Sequence, residues 1–264
     1  MKRLAILVGL ALALGLAAGA PTLAERVTAA DYDAFWLWAG VAPQPALARA
    51  RTLYLLAGQV DAPRGDAAPA RLIAQGGATP RLHRGTVWLV VRAHTLAWTP
   101  RIYDQVLAAL DRWRGAGVPL AGLQIDFDAR TRHLDQYAAF LRDLRARLPA
   151  NERLSVTGLL DWSSQGDPAA LAALGGVVDE VVLQTYQGRR TIPGYGAYLA
   201  RLGRVDIPFK IGLVEGGDWR TPPGLAANPW FRGYVVFLTN PRPSPGQEAA
   251  LNPSRPPGAS PSRP

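Results

Sequence analysis

Apolar, β-prone residues recur along the chain in eight short runs: 34–38, 52–57, 86–91, 122–127, 154–160, 180–185, 209–214 and 233–238. Most are apolar on both faces, as strands of a buried parallel sheet should be. Helical periodicity fills several intervals. The clearest helix begins after Thr99, a good N-cap, with Pro100 at its first position and Ile102, Val106, Leu110 and Trp113 on one face. The next spans about 131–148, with Leu134, Tyr137, Leu141, Leu144 and Leu148 aligned, and shorter candidates cover 169–174 and 195–202. The first, second and seventh connections are rich in Pro and Gly, so their helices should be short or missing.

Strand–helix alternation predicts an α/β fold with a parallel sheet. Eight units favour closure into a compact (β/α)8, TIM-like barrel, and an open doubly wound sheet is the alternative. The first strand is not followed by a glycine-rich phosphate loop, which argues against dinucleotide binding.

Both ends of the chain differ from this pattern. Lys2 and Arg3 precede an apolar run over 5–18, and small residues follow up to Ala24. This reads as a secretory signal peptide over 1–24, too short in its apolar part for an ordinary membrane span, although an uncleaved anchor is the alternative. No later segment is apolar enough to span a bilayer, so no transmembrane span is expected after signal removal. Residues 241–264 are dense in Pro, Ser, Gly and Arg and should form a disordered tail. Residues 25–240 remain as the barrel domain. The expected location is periplasmic or extracellular, and the expected state is a monomer.

The formal charge is +9, and losing Lys2 and Arg3 with the leader takes it to +7. The arginines are scattered, and no nucleic-acid motif is present. There is no Cys, which excludes disulfides and thiolate metal sites. His83, His94 and His133 lack ligand spacing, so neither a metal nor a cofactor is expected.

The chemistry is read from position. Polar and aromatic residues gather where the strands should end: Trp38, Gln59, Arg92, His94, Asp126, Asp128, Asp161, Trp162, Gln184, Tyr186, Gln187, Glu215 and Asn240. Barrel enzymes build their sites on this face. In the fourth strand, Gln124, Asp126 and Asp128 share one face by the period of two. Converging carboxylates can serve acid–base chemistry. Alternatively, Asp128 caps the following helix while Asp126 accepts backbone or Arg hydrogen bonds. Asp126, Asp128 and Glu215 are the candidate catalytic acids, and Glu215 could equally be a loop residue paired to an Arg. Trp38, Arg92, His94, Gln124, Asp161, Trp162, Gln184, Tyr186 and Gln187 are the candidate substrate contacts. Arg92 and His94 could anchor substrate, or Arg92 could close an ion pair with Asp126. Trp98 and Trp219 join Trp38 and Trp162 as candidate rim aromatics, whereas Trp36 and Trp88 should be core.

The segment Ala121-Gly-Leu-Gln-Ile-Asp-Phe-Asp128 resembles the fourth-strand signature of chitinase-like family-eighteen glycoside hydrolases, Asp-Gly-x-Asp-x-Asp-x-Glu. Ala121 and Gln124 replace its first two acids, Asp126 keeps the last Asp, and Asp128 stands where that family's catalytic Glu would be. Gln184-Thr-Tyr-Gln187 resembles its sixth-strand Met-x-Tyr-Asp, with Tyr186 retained. A closer resemblance is to a bacterial family of exported proteins, domain of unknown function 3142. It is carried by 123–128, by Leu154-Ser-Val-Thr and by Val181-Val-Leu-Gln184. That family implies the fold and brings no activity with it.

Three functions follow as expectations. The first is a glycoside-hydrolase-like barrel acting on a cell-envelope or extracellular glycan, with Asp128 protonating the leaving oxygen. The second is a non-catalytic glycan-binding barrel, with a polysaccharide or oligosaccharide as ligand in either case. The third is a structural or partner-binding envelope protein whose mouth is closed by paired acids.

Overall fold

Eight runs of β-branched and apolar residues form eight parallel strands: β1 (Ala34–Leu37), β2 (Thr52–Asp61), β3 (Thr86–Ala93), β4 (Leu120–Asp126), β5 (Leu154–Leu159), β6 (Glu180–Gln184), β7 (Phe209–Val214) and β8 (Phe231–Phe237). Each pairs in parallel with the next, and β8 pairs with β1, so the sheet closes on itself. The fold is therefore the expected TIM-like barrel rather than an open sheet. The computed structural model describes residues 24–240 except 39, 63–68, 76–84, 130–133, 163–167 and 202–205. The leader up to residue 23, the tail over 241–264, His83 and His133 lie outside the described residues.

Among the described residues, helices cover only part of the barrel. Two long ones are α1 (Pro100–Gly115) and α2 (Leu134–Arg147); α3 (Pro168–Ala172) and α4 (Tyr195–Leu199) are single turns or little more. Ile102, Val106, Leu110, Leu134, Tyr137 and Leu141 are buried against the outer strand faces, as their spacing predicts. Thr99 caps α1 through its extended backbone, its carbonyl accepting from the N–H groups of Ile102 and Tyr103, and its side chain makes no cap bond. The irregular connections expected from Pro and Gly are present. Among the described residues, the first holds only a 3-10 turn, Pro45–Arg49; the second contains the short strand Arg71–Ala74, antiparallel to the end of β2. In the seventh, Asp218–Trp219 pairs with Glu25–Arg26. Val27 and Ala29 are buried, and Tyr32 meets the outward ring of Tyr234 edge-on at 5.7 Å. The N-terminal segment thus covers the outside of β7 and β8, where a helix would otherwise lie.

The barrel interior is polar at its lower end. Lys210 Nζ lies 3.2 Å from Glu180, and the buried Tyr54 hydroxyl donates to Glu180 at 2.7 Å while accepting from Lys210 at 3.0 Å. Burial, with the facing Glu180 carboxylate, pushes the Tyr54 phenol well above its ordinary range. Ser155 donates to Glu180 at 3.1 Å and accepts from the Gln124 amide at 2.9 Å, and the Trp36 indole donates to Gln124 at 2.7 Å. Two glycines make room for this layer. A Cβ on Gly212 would lie 2.7 Å from the Trp36 ring; one on Gly122, at φ +154°, would lie 2.7 Å from Trp88 and closer still to the Arg153 carbonyl.

Removing one partner of a buried ion pair leaves the other charge uncompensated, at about 3–5 kcal/mol. Lys210→Met should therefore lower unfolding stability by that order. The double variant Lys210→Met with Glu180→Gln should recover a large part of it, as read from urea midpoints. A double variant no better than the single one would show that the pair adds nothing of its own.

Candidate functional site

The carboxyl ends of β2, β3, β4 and β5 and the residue after β1 meet around one guanidinium. Residues 88, 90 and 92 point inward from β3 by the strand period, which brings Arg92 to the barrel mouth. Its Nη1 donates to Asp126 at 2.7 Å and its Nη2 to Asp128 at 2.9 Å. Its Nε donates to His94 Nε2 at 3.0 Å, and the guanidinium lies 5.2 Å from the Trp38 ring centre. Gln124, Asp126 and Asp128 share the inner face, as their spacing predicts, but at different depths. Gln124 is wholly buried between Trp36 and Ser155, Asp126 is buried one layer higher, and the Asp128 side chain is 57% exposed just beyond the strand. Gln124 therefore belongs to the interior network rather than to a ligand surface.

Asp126 accepts from the Thr157 hydroxyl at 2.9 Å on one oxygen and from Arg92 on the other. Burial raises its carboxyl above the ordinary range, against the opposing pull of Arg92 and Thr157. Arg92 is itself raised, since Asp126 and Asp128 outweigh its own desolvation.

A second arm of the network runs along β2. The pairing of β2 with β3 slips between Leu56 and Gly58, so Ala57 is a bulge, and Gln59 comes to stand beside Arg92. A bulge of one residue reverses the strand's facing pattern. Tyr54 and Leu56 point inward before it, Gln59 and Asp61 after it. Asp61 consequently reaches His94 Nδ1 at 2.7 Å and also accepts from the Gln59 amide at 2.8 Å.

An aromatic wall completes the mouth. Trp38 meets Phe237 edge-on at 5.5 Å, and Phe237 stacks on Tyr186 at 5.6 Å. Tyr186 is buried, which raises its phenol far above the ordinary value while a Gln184 hydrogen bond opposes the shift. Gln184 is half-buried on the same inward face as Tyr186, and Gln187 is exposed in the short hairpin that follows.

Other predicted residues go elsewhere. Glu215 follows the inward-facing Val214 and so turns outward; it accepts from the Ala29 N–H at 2.8 Å. Burial raises its carboxyl, opposed by that bond and by Arg26, and the structure does not bring it to the aspartates. Trp162 is buried outside the barrel, donating to the Ala129 carbonyl at 2.8 Å and meeting Tyr137 edge-on. Asp161, beside it, is half-buried. Trp98 packs on Phe140, and Trp219 stacks on Tyr195 at 4.6 Å, so neither is a rim aromatic of the mouth. Asn240 fastens the first loop, accepting from Ala42 N–H and donating to the Gly40 carbonyl. Asp61, Thr157 and Phe237 are the mouth residues that the sequence reading missed. No group of three or more His, Cys, Asp or Glu among the described residues could hold a metal ion.

Residues 89–203 match the family model described as Domain of unknown function (DUF3142), the family the sequence resembles. The matched segment carries Arg92, His94, Asp126, Asp128, Thr157 and Tyr186. No curated protein matches the sequence. Among solved structures, the chain is similar to the chitinase domain of the spore coat protein CotE from Clostridium difficile, at 14% identity, 76% of this chain, 68% of that one and a TM-score of 0.45. It is also similar to the Bacillus cereus spore cortex-lytic enzyme SleL, at 15% identity over 68% of this chain and 49% of that one, with a TM-score of 0.43. A tamarind chitinase-like lectin gives 11% identity over 77% of this chain and 92% of that one, with a TM-score of 0.45.

The raised carboxyl of Asp126 has a consequence for stability. The folded state holds that proton more tightly than the unfolded chain does. Its stabilising contribution is full below the unfolded value of about 3.9 and is lost as the pH rises through the higher folded value. The stability of the wild type relative to Asp126→Asn should therefore decline as the pH rises from about 4 towards neutrality. Urea titrations of both proteins across that range measure it. A difference that grows with pH would mean that the Arg92 bond outweighs burial.

Proposed function

We propose that the mouth of this glycoside-hydrolase-like barrel binds a glycan chain, and that the protein is exported and meets this glycan in the periplasm or outside the cell. The observation that carries the reading is the mouth itself. A wall of Trp38, Phe237 and Tyr186 stands beside the Arg92–Asp128 pair, on the face where barrels build their sites. A sugar ring has an apolar face of C–H groups and hydroxyls around its edge. Aromatic rings suit the first, and charged donor–acceptor pairs suit the second. The basic, apolar and small-residue stretches over 1–24 support export.

The arrangement favours recognition without turnover. Two-carboxylate hydrolysis needs acids about 5–5.5 Å apart for retention or about 6.5–9.5 Å apart for inversion, flanking the scissile bond. Glu215 is turned to Ala29, and Asp126 and Asp128 share one guanidinium. Turnover is the second reading, and the exposure of Asp128 favours it. To act as an acid towards a bound sugar, Asp128 would first have to be released by Arg92.

The test is to incubate the mature protein, Asp128→Asn and Trp38→Ala with soluble bacterial envelope and storage glycans, measuring affinity and reducing ends together. Binding without release is expected, with Trp38→Ala weakening it about tenfold, equivalent to about 1.4 kcal/mol of lost ring contact. Release by the wild type and not by Asp128→Asn would establish hydrolysis. A wild type that binds none of these glycans would overturn the reading.

A further inference from the structure

The polarity of the mouth network is fixed at both ends. An Arg N–H can only donate, and an ionised Asp can only accept. His94 stands between the two, with Nε2 3.0 Å from Arg92 Nε and Nδ1 2.7 Å from Asp61. A single protonation state satisfies both contacts: the neutral ring, carrying its hydrogen on Nδ1. A proton added at Nε2 would set an N–H⁺ against the guanidinium N–H, removing one bond of Arg92 and replacing it with repulsion.

We propose that the Asp61–His94 pair is a positioning device for Arg92, holding the guanidinium in the pose that bridges Asp126 and Asp128 while His94 is neutral and releasing it when the ring is protonated. The pair acts through Arg92, and its bearing on ligand affinity rests on the reading of the mouth as the glycan site. Among the described residues, the charged groups that face the ring are Asp61 from β2 and Arg92 from β3, with Asp126 at the end of β4 and Asp128 just beyond it one step behind. Asp61 and Arg92 thus present charges of opposite sign to the two ring nitrogens. Histidine is the side chain that exchanges its proton with solvent between about pH 5 and 8. The His94 side chain is 46% exposed, so the proton can come from solvent.

Glutamine tests the device directly, because its amide offers one donor and one acceptor and does not titrate. The ligand-free wild type and His94→Gln are labelled with ¹⁵N and followed by NMR from about pH 5 to 8. In the wild type, His94 should appear as the Nδ1–H tautomer at high pH. The Arg92 Nε–H signal should move with the same midpoint as the ring. In His94→Gln the Arg92 signal should stay where it is in the high-pH wild type. An Arg92 signal that does not respond while His94 titrates would overturn the proposal, as would the opposite ring tautomer at high pH. For a glycan that binds, affinity should fall about tenfold from pH 8 to pH 5 in the wild type and stay level in His94→Gln, the equivalent of about one charged hydrogen bond. Equal pH profiles in the two proteins would overturn it. Coupled Arg92 and His94 signals in a protein that binds no glycan would uphold the device and defeat only the glycan reading.

Discussion

The bridging of Asp126 and Asp128 by Arg92 is the contact on which the mouth depends. A buried carboxylate is costly without a partner, and so is a guanidinium drawn in among aromatic rings. Each makes the other tolerable here. Thr157 occupies the remaining oxygen of Asp126, His94 takes the Arg92 Nε–H, and Trp38 lies beside the guanidinium. Four strands and the end of a fifth therefore meet through one side chain. Strands, rather than the loops that join them, set its position.

A second polar network lies below it, and the two have different consequences. In the lower one, Trp36, Gln124, Ser155, Glu180, Tyr54 and Lys210 satisfy one another inside the barrel. Such a set fixes which strand neighbours which, because a slip of one residue would point these groups into the apolar outer layer. The upper network opens to solvent at Asp128 and at His94, so its hydrogen bonds can be exchanged with a ligand. The lower network holds the barrel in register, and the upper one faces whatever enters the mouth.

The strands were legible because both their faces are apolar, and the barrel because there were eight of them. Irregular connections were readable from Pro and Gly. At the mouth, Trp38, Arg92, His94, Asp126, Asp128 and Tyr186 were found by the rule that barrel strands carry function at their carboxyl ends. The rule of alternation then explains where it failed. Ala57 is a bulge, invisible in an apolar run, and it alone turns Asp61 inward towards His94. Glu215 comes one position after the inward Val214 and so faces the N-terminal segment. Gln124 lies on the expected face but one layer too deep. Trp162 folds back on the Ala129 carbonyl, a tertiary contact that no local spacing announces.

The chemistry open to such a mouth follows from how its ion pair can be replaced. Arg92 Nη2 and Asp128 present a donor and an acceptor 2.9 Å apart at the solvent edge. Two neighbouring hydroxyls of a sugar can accept from the first and donate to the second, so each charge keeps a hydrogen-bonded partner as the direct contact opens. Asp126 is not disturbed by this exchange, because its bonds to Arg92 Nη1 and Thr157 lie deeper. A ligand that takes up the Arg92–Asp128 contact in this way gains specificity without stripping a buried charge of its partner. Proton transfer demands more, since Asp128 must then lose the guanidinium as well as gain the sugar. Exchange of partners at the solvent edge thus leaves the deeper Asp126 bonds in place, whereas proton transfer from Asp128 would require the guanidinium to withdraw from it as well.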